Sequence, residues 1–400
     1  MPSSTLTAEE ADDFAERCRT FLTEHTRSGA TGNVASARAF QRELAAAGLA
    51  GLPYAKEYGG AGLTLEHERI YRAVAHDFPP MAASLVISHG MCLPVLNEFG
   101  TEEQKHRFMP DNISGRTLWC QMFSEPGAGS DVASLQTRAE RDGDEWVLNG
   151  QKVWTTLAHE SDYGILIART DPEQPKHAGI SMFVVDLRAP GVEIRPIHQI
   201  DGGRHFNEVF FTDVRVPADW LLGEQNNGWR QATAMLMYER VAIGSMGAGS
   251  ISQPTYDTLA QAAAAAGRLD DPIVRDRLMR IYAMETTKSL VSLRTRAELK
   301  AGKAPGPGGS LGKLAASLIA REFRAVALEI AGPGAQAWPA DDPTQGSLQQ
   351  QTLWSLQLGI AGGTDEIQRN IIGDRVLGLP RDISVDTKLP FKDLKVGTQR

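Results

Sequence analysis

The sequence predicts an α+β protein of several domains, in which a β region lies between two helical regions. Residues 8–117 carry apolar side chains near helical spacing. Short runs rich in β-branched and aromatic residues fill about 117–222, and helical texture returns from 228 to about 376. The 400 residues provide two or three domains at ~150 residues each. We expect an N-terminal helical domain over 1–117, a middle β domain over 118–227, a C-terminal helical domain over 228–382 and a tail over 383–400.

The first helical region shows its periodicity in Phe40, Leu44, Leu49 and Leu52, and helix formers dominate 102–109. The glycine-punctuated stretch 54–63 predicts a loop between helical segments.

The β region contains two short runs, 145–148 and 151–154, on either side of Asn149-Gly150. An Asn-Gly pair in that setting predicts a β-hairpin. Further strands are predicted at 163–168, 181–185, 192–196 and 208–211. Regularly spaced short strands are typical of a compact barrel or sandwich of roughly 100 residues.

The last region predicts helices over 230–247, 254–266, 272–299 and 311–330, with Gly- and Pro-rich loops at 301–309 and 332–346. The tail from Pro380 is polar, and we expect it to be loosely held.

Composition excludes several classes of protein. The formal net charge of -8 argues against a nucleic-acid binder. No run of ~18 apolar residues predicts a membrane-inserted helix. The first residues lack the pattern of a signal peptide, so we expect a cytoplasmic protein. The three cysteines, Cys18, Cys92 and Cys120, are widely spaced and odd in number, which predicts buried reduced thiols and no CxxC metal site.

The segment 123–131 (FSEPGAGSD), here called the glycine loop, is the first candidate for chemistry. Its glycines allow a close approach of the backbone to a ligand, and hydroxyls and successive N–H groups suit a polar edge or phosphate. A plain turn is the alternative. The spacing is not a dinucleotide-binding fingerprint, since no βαβ unit follows.

Further segments follow the glycine loop in order: Thr137, 142–144 (DGD), 149–152 (NGQK), 153–156 (VWTT) and 362–372 (GGTDEIQRNII). This ordered set resembles the acyl-CoA dehydrogenase family, and the likeness runs from 51 to 381. The resemblance implies an acyl-CoA dehydrogenase-like fold with an N-terminal helical domain, a middle β-barrel or sandwich domain and a C-terminal four-helix bundle. It also implies FAD as cofactor, oxidation of an acyl-CoA to the trans-2-enoyl-CoA in lipid catabolism, and an electron-transfer flavoprotein as acceptor.

The resemblance also implies the residues that hold cofactor and substrate. Phe123 and Ser124 correspond to contacts with the isoalloxazine edge, Trp154 packs near its dimethylbenzene end, and Thr156 takes the position beside N5. Trp154 as a plain core aromatic is the alternative. Ser130 and Arg240 correspond to substrate positions. The implied FAD-binding set is Phe123, Ser124, Gly129, Ser130, Trp154, Thr156, Thr364 and Glu366.

The catalytic base is implied by an absence. Many family members carry a Glu directly before the Gly-Thr of the C-terminal motif, whereas Gly362 stands here. The alternative family position falls on Glu239, followed by Arg240 in an apolar helical segment. Glu239 is therefore the implied base, and a solvated surface carboxylate is the alternative. The backbone N–H of Gly362 takes the position that donates to the enolate oxygen, and the missing side chain leaves space for a branched or bulky acyl group.

Two departures affect the expected assembly. The region 262–277 lacks the Arg-x-x-Phe element that reaches a neighbour's FAD, and Leu328 stands where the family has Gln. These departures resemble a bacterial subgroup in which some chains form heterotetramers with a related chain. We expect a homo- or heterotetramer. A half-site or structural subunit is the alternative to a self-sufficient enzyme, and a flavin oxidase is a third reading.

Overall fold

The computed structural model describes residues 6–26, 33–245, 255–300, 308–336, 346–381, 386 and 388–395. The chain divides into two compact units. The first contains 1–199, 204–249 and 384–400, and the second contains 200–203 and 250–383. The ends of the predicted loops at 301–309 and 332–346 are described, but 301–307 and 337–345 lie outside the described residues. The limits of the four-part domain division stay a prediction.

The first unit holds six helices and eight strands among its described residues. The helices are α1 (Ala8–His25), α2 (Val34–Ala46), α3 (Leu65–Ala75), α4 (Leu93–Phe99), α5 (Glu102–Ile113) and α6 (Gly228–Ser245). The strands are β1 (Trp119–Met122), β2 (Arg138–Asp142), β3 (Glu145–Thr156), β4 (Tyr163–Arg169), β5 (Ile180–Asp186), β6 (Val192–Pro196), β7 (Phe206–Pro217) and β8 (Leu221–Leu222).

Local sequence explains where the N-terminal helices begin and which side they bury. Thr7 and Glu10 form a capping box at the start of α1, and Thr101 with Gln104 forms another at α5. Phe14, Cys18, Phe21 and Leu22 of α1 are buried on one face. This face joins a core that continues into the sheet, so helices and sheet of this unit share one apolar interior.

The strands form one sheet in the order β6-β7-β3-β2-β4-β5-β8, and β1 pairs in parallel with β4. Strands β4 and β5 are buried almost throughout, which matches their nearly continuous apolar sequence. β3 and β7 are twelve-residue strands that pair in antiparallel fashion with two register shifts. The predicted helical, β and helical order is confirmed.

The predicted hairpin at Asn149-Gly150 is wrong. Both residues lie inside β3, and the reversal occurs at Asp142–Glu145, where β2 and β3 pair around Gly143 with φ 59°. Gly150 is needed for close packing, because a Cβ there would lie 2.7 Å from the Cα of Thr137. The Asn149 side chain instead pairs with Asp213 of β7 through bonds of 2.9 and 3.0 Å. Long-range strand pairing therefore overrides the local turn signal.

The second unit is helical, with α7 (Tyr256–Ala265), α8 (Pro272–Lys300), α9 (Gly308–Ala331), α10 (Gly346–Trp354) and α11 (Asp365–Arg375). Leu259 of α7, Val274 and Ile281 of α8, and Phe323 and Val326 of α9 share a separate core. Their spacings of three, four and seven residues place them on single helix faces.

The tail is not loosely held throughout. Phe391 N–H donates to the carbonyl of Gln174 at 2.9 Å, and Lys392 N–H donates to that of Pro172 at 3.0 Å. The described tail residues lie on the loop that follows β4, which the polar sequence did not indicate.

Cys18, Cys92 and Cys120 are free and buried, as predicted. Burial raises the pKa of the Cys18 thiol to about 11 and that of Cys120 to about 12. None of the described helices is both long and apolar enough to cross a membrane.

Candidate active site

The glycine loop follows directly from β1. The backbone of Glu125 and that of Ala128 exchange hydrogen bonds of 3.0 and 3.1 Å, which closes a tight turn over Pro126 and Gly127. Gly129 and Ser130 are exposed, and open space surrounds the position of a Cβ on Gly129. The loop therefore offers backbone and hydroxyl groups to a ligand at the surface of the first unit.

A buried ion pair anchors this loop. Lys152 of β3 is fully buried, and its ammonium donates to the Glu125 carboxylate at 2.8 Å and to the Phe123 carbonyl at 3.0 Å. The same carboxylate accepts the backbone N–H groups of Gln136 and Thr137 at 2.6 and 2.9 Å. Every strong donor around Glu125 thus holds the start of the glycine loop against β3.

The pKa values of this pair follow from its burial and its contacts. Burial acts to raise the pKa of the Glu125 carboxyl, but the Lys152 ammonium and the hydrogen bonds outweigh it, so the pKa lies below its usual range. Burial lowers the pKa of Lys152, and Glu125 only partly opposes this. The sequence analysis did not single out this pair. A lysine in a strand with buried neighbours was the available signal.

Trp154 is placed by a bulge in β3. Lys152 pairs with Val209 and Thr155 pairs with Asn207, so β3 carries an extra residue there. The backbone of Trp154 is left-handed with φ 60°, a conformation that costs an aromatic residue about 1–3 kcal/mol. Its side chain is 59% exposed and makes an edge contact with Phe206. A core role is excluded, because the indole points out of the unit.

The bulge and the glycine loop are neighbours. The N–H of Val153 donates to the carbonyl of Ser124 at 2.9 Å. Trp154 and half-buried Thr156 therefore lie beside the start of the loop. The structure thus brings Phe123, Ser124, Trp154 and Thr156 together in one unit.

Glu239 lies on α6, and its half-buried side chain is on the face that buries Ala232 and Met235. The amide of Gln121, on β1, donates to the Glu239 carboxylate at 3.5 Å. Gln121 precedes Phe123 by two residues, so their side chains project from the same side of the strand. Glu239 is therefore a half-buried carboxylate beside the strand that leads into the glycine loop. The side chain of Arg240 lies outside the described residues.

The remaining predicted residues belong to the second unit and are described by themselves. Gly362 and Gly363 have left-handed φ values of 66° and 88°. The Gln368 amide donates to the Gly362 carbonyl at 2.9 Å, which fixes this turn. The Thr364 hydroxyl caps α11 by accepting from the Ile367 N–H at 3.3 Å.

Glu366 stands in the first turn of α11 with its side chain 76% exposed. Its neighbour Asp365 is buried and accepts hydrogen bonds from Ser317 at 3.0 Å and Arg321 at 2.8 Å, both on α9. These bonds hold the start of α11, and with it Thr364 and Glu366, against α9.

Comparison with known proteins gives the same three-part pattern. The family model described as acyl-CoA dehydrogenase, N-terminal domain, matches residues 8–116. The middle-domain model matches 120–214, and the C-terminal-domain model matches 226–377.

Individual relatives are similar over most of the chain. The acyl-CoA dehydrogenase IpdE1 of Mycobacterium tuberculosis is 40% identical over 346 residues, which cover 86% of this chain and 88% of the relative. The solved ChsE4-ChsE5 complex of Mycobacterium tuberculosis is 30% identical with a TM-score of 0.74, covering 95% of this chain and all of that one. The structure titled Tcur3481-Tcur3483 steroid ACAD is 28% identical with a TM-score of 0.77, covering 94% of this chain and 99% of that one.

Three matched domains in the right order, a relative at 40% identity and a glycine loop set beside a carboxylate lead to one conclusion. The chain belongs to the acyl-CoA dehydrogenase family and is an oxidoreductase that dehydrogenates acyl-CoA thioesters.

Proposed function

We propose that this chain binds FAD and converts an acyl-CoA to its trans-2-enoyl-CoA, with Glu239 removing the α-proton. The observation that carries the proposal is the placement of the half-buried Glu239 carboxylate within 3.5 Å of the Gln121 amide, beside the strand that enters the glycine loop. An electron-transfer flavoprotein is the proposed acceptor, on the resemblance alone. A cytoplasmic location stays a prediction.

The residues present fit a flavin. An exposed indole held in a costly left-handed conformation suits a planar ring system better than it suits solvent, and the open surface over Gly129 suits a polar arm of the cofactor. Phe123, Ser124, Trp154 and Thr156 are the proposed contacts of the ring, and Ser130 lies toward the phosphate arm and the CoA. When bound, FAD supplies an acceptor for the hydride that leaves the β-carbon.

The chain's own part in the chemistry is proton removal. The α-proton of a thioester is weakly acidic, so a positioned carboxylate is needed, and general bases of this kind contribute about 10²–10⁴-fold. The Gln121 amide holds one Glu239 oxygen and so orients the other. The α6 face that carries Ala232 and Met235 is buried and excludes water.

Three further roles rest on the resemblance. The backbone N–H of Gly362 is the proposed donor to the thioester oxygen, where charge develops as the proton leaves. Thr364 and Glu366 are the proposed positions on the adenosine side. Arg240 is the proposed CoA-positioning residue, since its guanidinium stays charged and does not exchange protons.

The test is the substitution Glu239→Gln, which keeps the shape and the Gln121 contact while removing the base. We expect turnover to fall by at least about 10³-fold, while the flavin absorption of the purified protein is retained. The matched control is Glu224→Gln, an exposed carboxylate just before α6, which should leave turnover unchanged. Retention of most activity by Glu239→Gln would remove Glu239 as the base.

The acyl group is proposed to be branched or bulky. The support is Gly362, which places no side chain where many members have Glu, together with a neighbouring structure whose title names a steroid enzyme. Anaerobic titration with straight-chain, branched-chain and sterol side-chain acyl-CoA thioesters should bleach the flavin best with one of the last two classes. Preferential bleaching by straight chains would contradict the proposal.

A second candidate is a half-site or structural subunit of a heteromeric dehydrogenase. Leu328, at the position where the family has Gln, is 44% exposed on α9, so it offers no hydrogen bond to an adenosine. Met279, Leu290 and Leu293 of α8 are each more than half exposed, and such apolar surface favours burial against another chain. A colourless protein that gains flavin only when co-expressed with a related chain would support this candidate. A flavin spectrum from the chain purified alone would exclude it.

A further inference from the structure

The C-terminal tail lies on the loop between β4 and β5 through side chains as well as backbone. Phe391 covers the Arg169 guanidinium, with the guanidinium carbon 3.7 Å from the ring centroid. Arg169 is only 4% exposed, and burial lowers its pKa to about 10. A buried cation needs such a covering, because an aromatic face stabilises it where water does not reach.

Arg169 in turn holds the segment that follows the glycine loop. Its guanidinium donates to the carbonyl of Ala133 at 2.6 Å and to that of Lys176 at 2.6 Å. Ala133 lies in the short helical turn Val132–Ser134, directly after Asp131. The covered cation therefore fixes the exit of the glycine loop.

Lys176 makes a second connection between the tail and the loop. It is 6% exposed, and its ammonium donates to both oxygens of Asp131 at 3.0 Å. The same ammonium donates to Asp386 of the tail. Asp131 is the last residue of the glycine loop, so one buried cation joins the loop to a tail residue 210 positions away.

We propose that the tail residues Asp386 and Phe391, acting through Lys176 and Arg169, are positioning residues that keep the glycine loop ordered for its ligand. The inference rests on the proposed function only in taking this loop as the place where cofactor and CoA bind. Pro126, Gly127, Gly129 and Ser130 are exposed, so the loop depends on its ends for order. Ordering it in advance lowers the entropy lost on binding.

The main variant is Lys176→Met in the holoenzyme, with Lys176→Arg as the conservative rescue and Phe391→Leu as a milder second change. Lys392→Met is the matched control, because Lys392 lies on the same tail but its pair with Glu173 is exposed. Hydrogen exchange of residues 126–135 is the first readout, and the Kd of free coenzyme A is the second. Neither depends on turnover, so failure of the Glu239 assignment does not affect this test.

We expect Lys176→Met and Phe391→Leu to speed exchange of 126–135 by about tenfold and to weaken coenzyme A binding by a similar factor. Lys176→Arg should restore much of both, and Lys392→Met should change neither. The proposal is overturned if exchange rises only in 388–395 while 126–135 stays protected, or if Lys392→Met has the same effect as Lys176→Met.

Discussion

The buried pair Lys152–Glu125 gives the sharpest prediction on stability. The substitution Lys152→Met replaces a fully buried ammonium with an apolar chain of similar length. It leaves the Glu125 carboxylate, itself 7% exposed, without its counter-charge, and the Phe123 carbonyl loses a donor 3.0 Å away. Leaving one buried charge unpaired costs about 3–5 kcal/mol, a large share of a typical total of about 5–15 kcal/mol.

The pH dependence gives this prediction a sign. In the native protein the pKa of Glu125 is lowered, so its stabilisation is present above the unfolded pKa and lost as pH falls through the folded one. Without Lys152, burial dominates and raises that pKa above the unfolded value. The variant is then destabilised as pH rises, so its deficit relative to the native protein should be smaller at pH 5 than at pH 7.

The assay is urea unfolding followed by circular dichroism at both pH values. The double variant Lys152→Met with Glu125→Gln removes both charges, and the Gln oxygen still accepts the two backbone N–H groups. We expect it to recover at least about half of the loss. Lys392→Met, which breaks an exposed pair, should cost less than about 1 kcal/mol. A loss below about 1 kcal/mol for Lys152→Met, or one that grows toward pH 5, would refute the reasoning.

Two other predictions concern pH and packing. Burial lowers the pKa of His89 to about 4, so stability should fall by up to about 3 kcal/mol as pH drops from 6.5 to 4; urea unfolding of His89→Gln should lose this fall, and an unchanged pH profile would contradict it. At Gly228, where α6 meets β5, an added Cβ would lie 2.6 Å from the Ser181 carbonyl carbon. Gly228→Ala should cost roughly 1–3 kcal/mol and lower kcat by displacing Glu239, whereas Gly312→Ala, in open space on α9, should gain up to about 1 kcal/mol. Equal kcat and unfolding midpoints for the two alanine variants would contradict the packing argument.

Local patterns accounted for most helices and strands. The predicted helix over 272–299 is observed as Pro272–Lys300, and the predicted strand over 192–196 as Val192–Pro196. Such segments are readable because their periodicity or composition and their ends are local. The Asn149-Gly150 hairpin failed for the opposite reason, since pairing with β7 along a twelve-residue strand outweighs the preference of two residues.

The candidate site divides in the same way. The sequence by itself determined the ordered motifs, the absence of a carboxylate at Gly362 and hence the choice of Glu239, because residue identity at a matched position needs no coordinates. Only the tertiary structure decided that Gln121 contacts Glu239, that Lys152 pairs with Glu125, and that Phe391 covers Arg169. These contacts join residues far apart in the chain, and burial makes them strong, so no local pattern of residues specifies them.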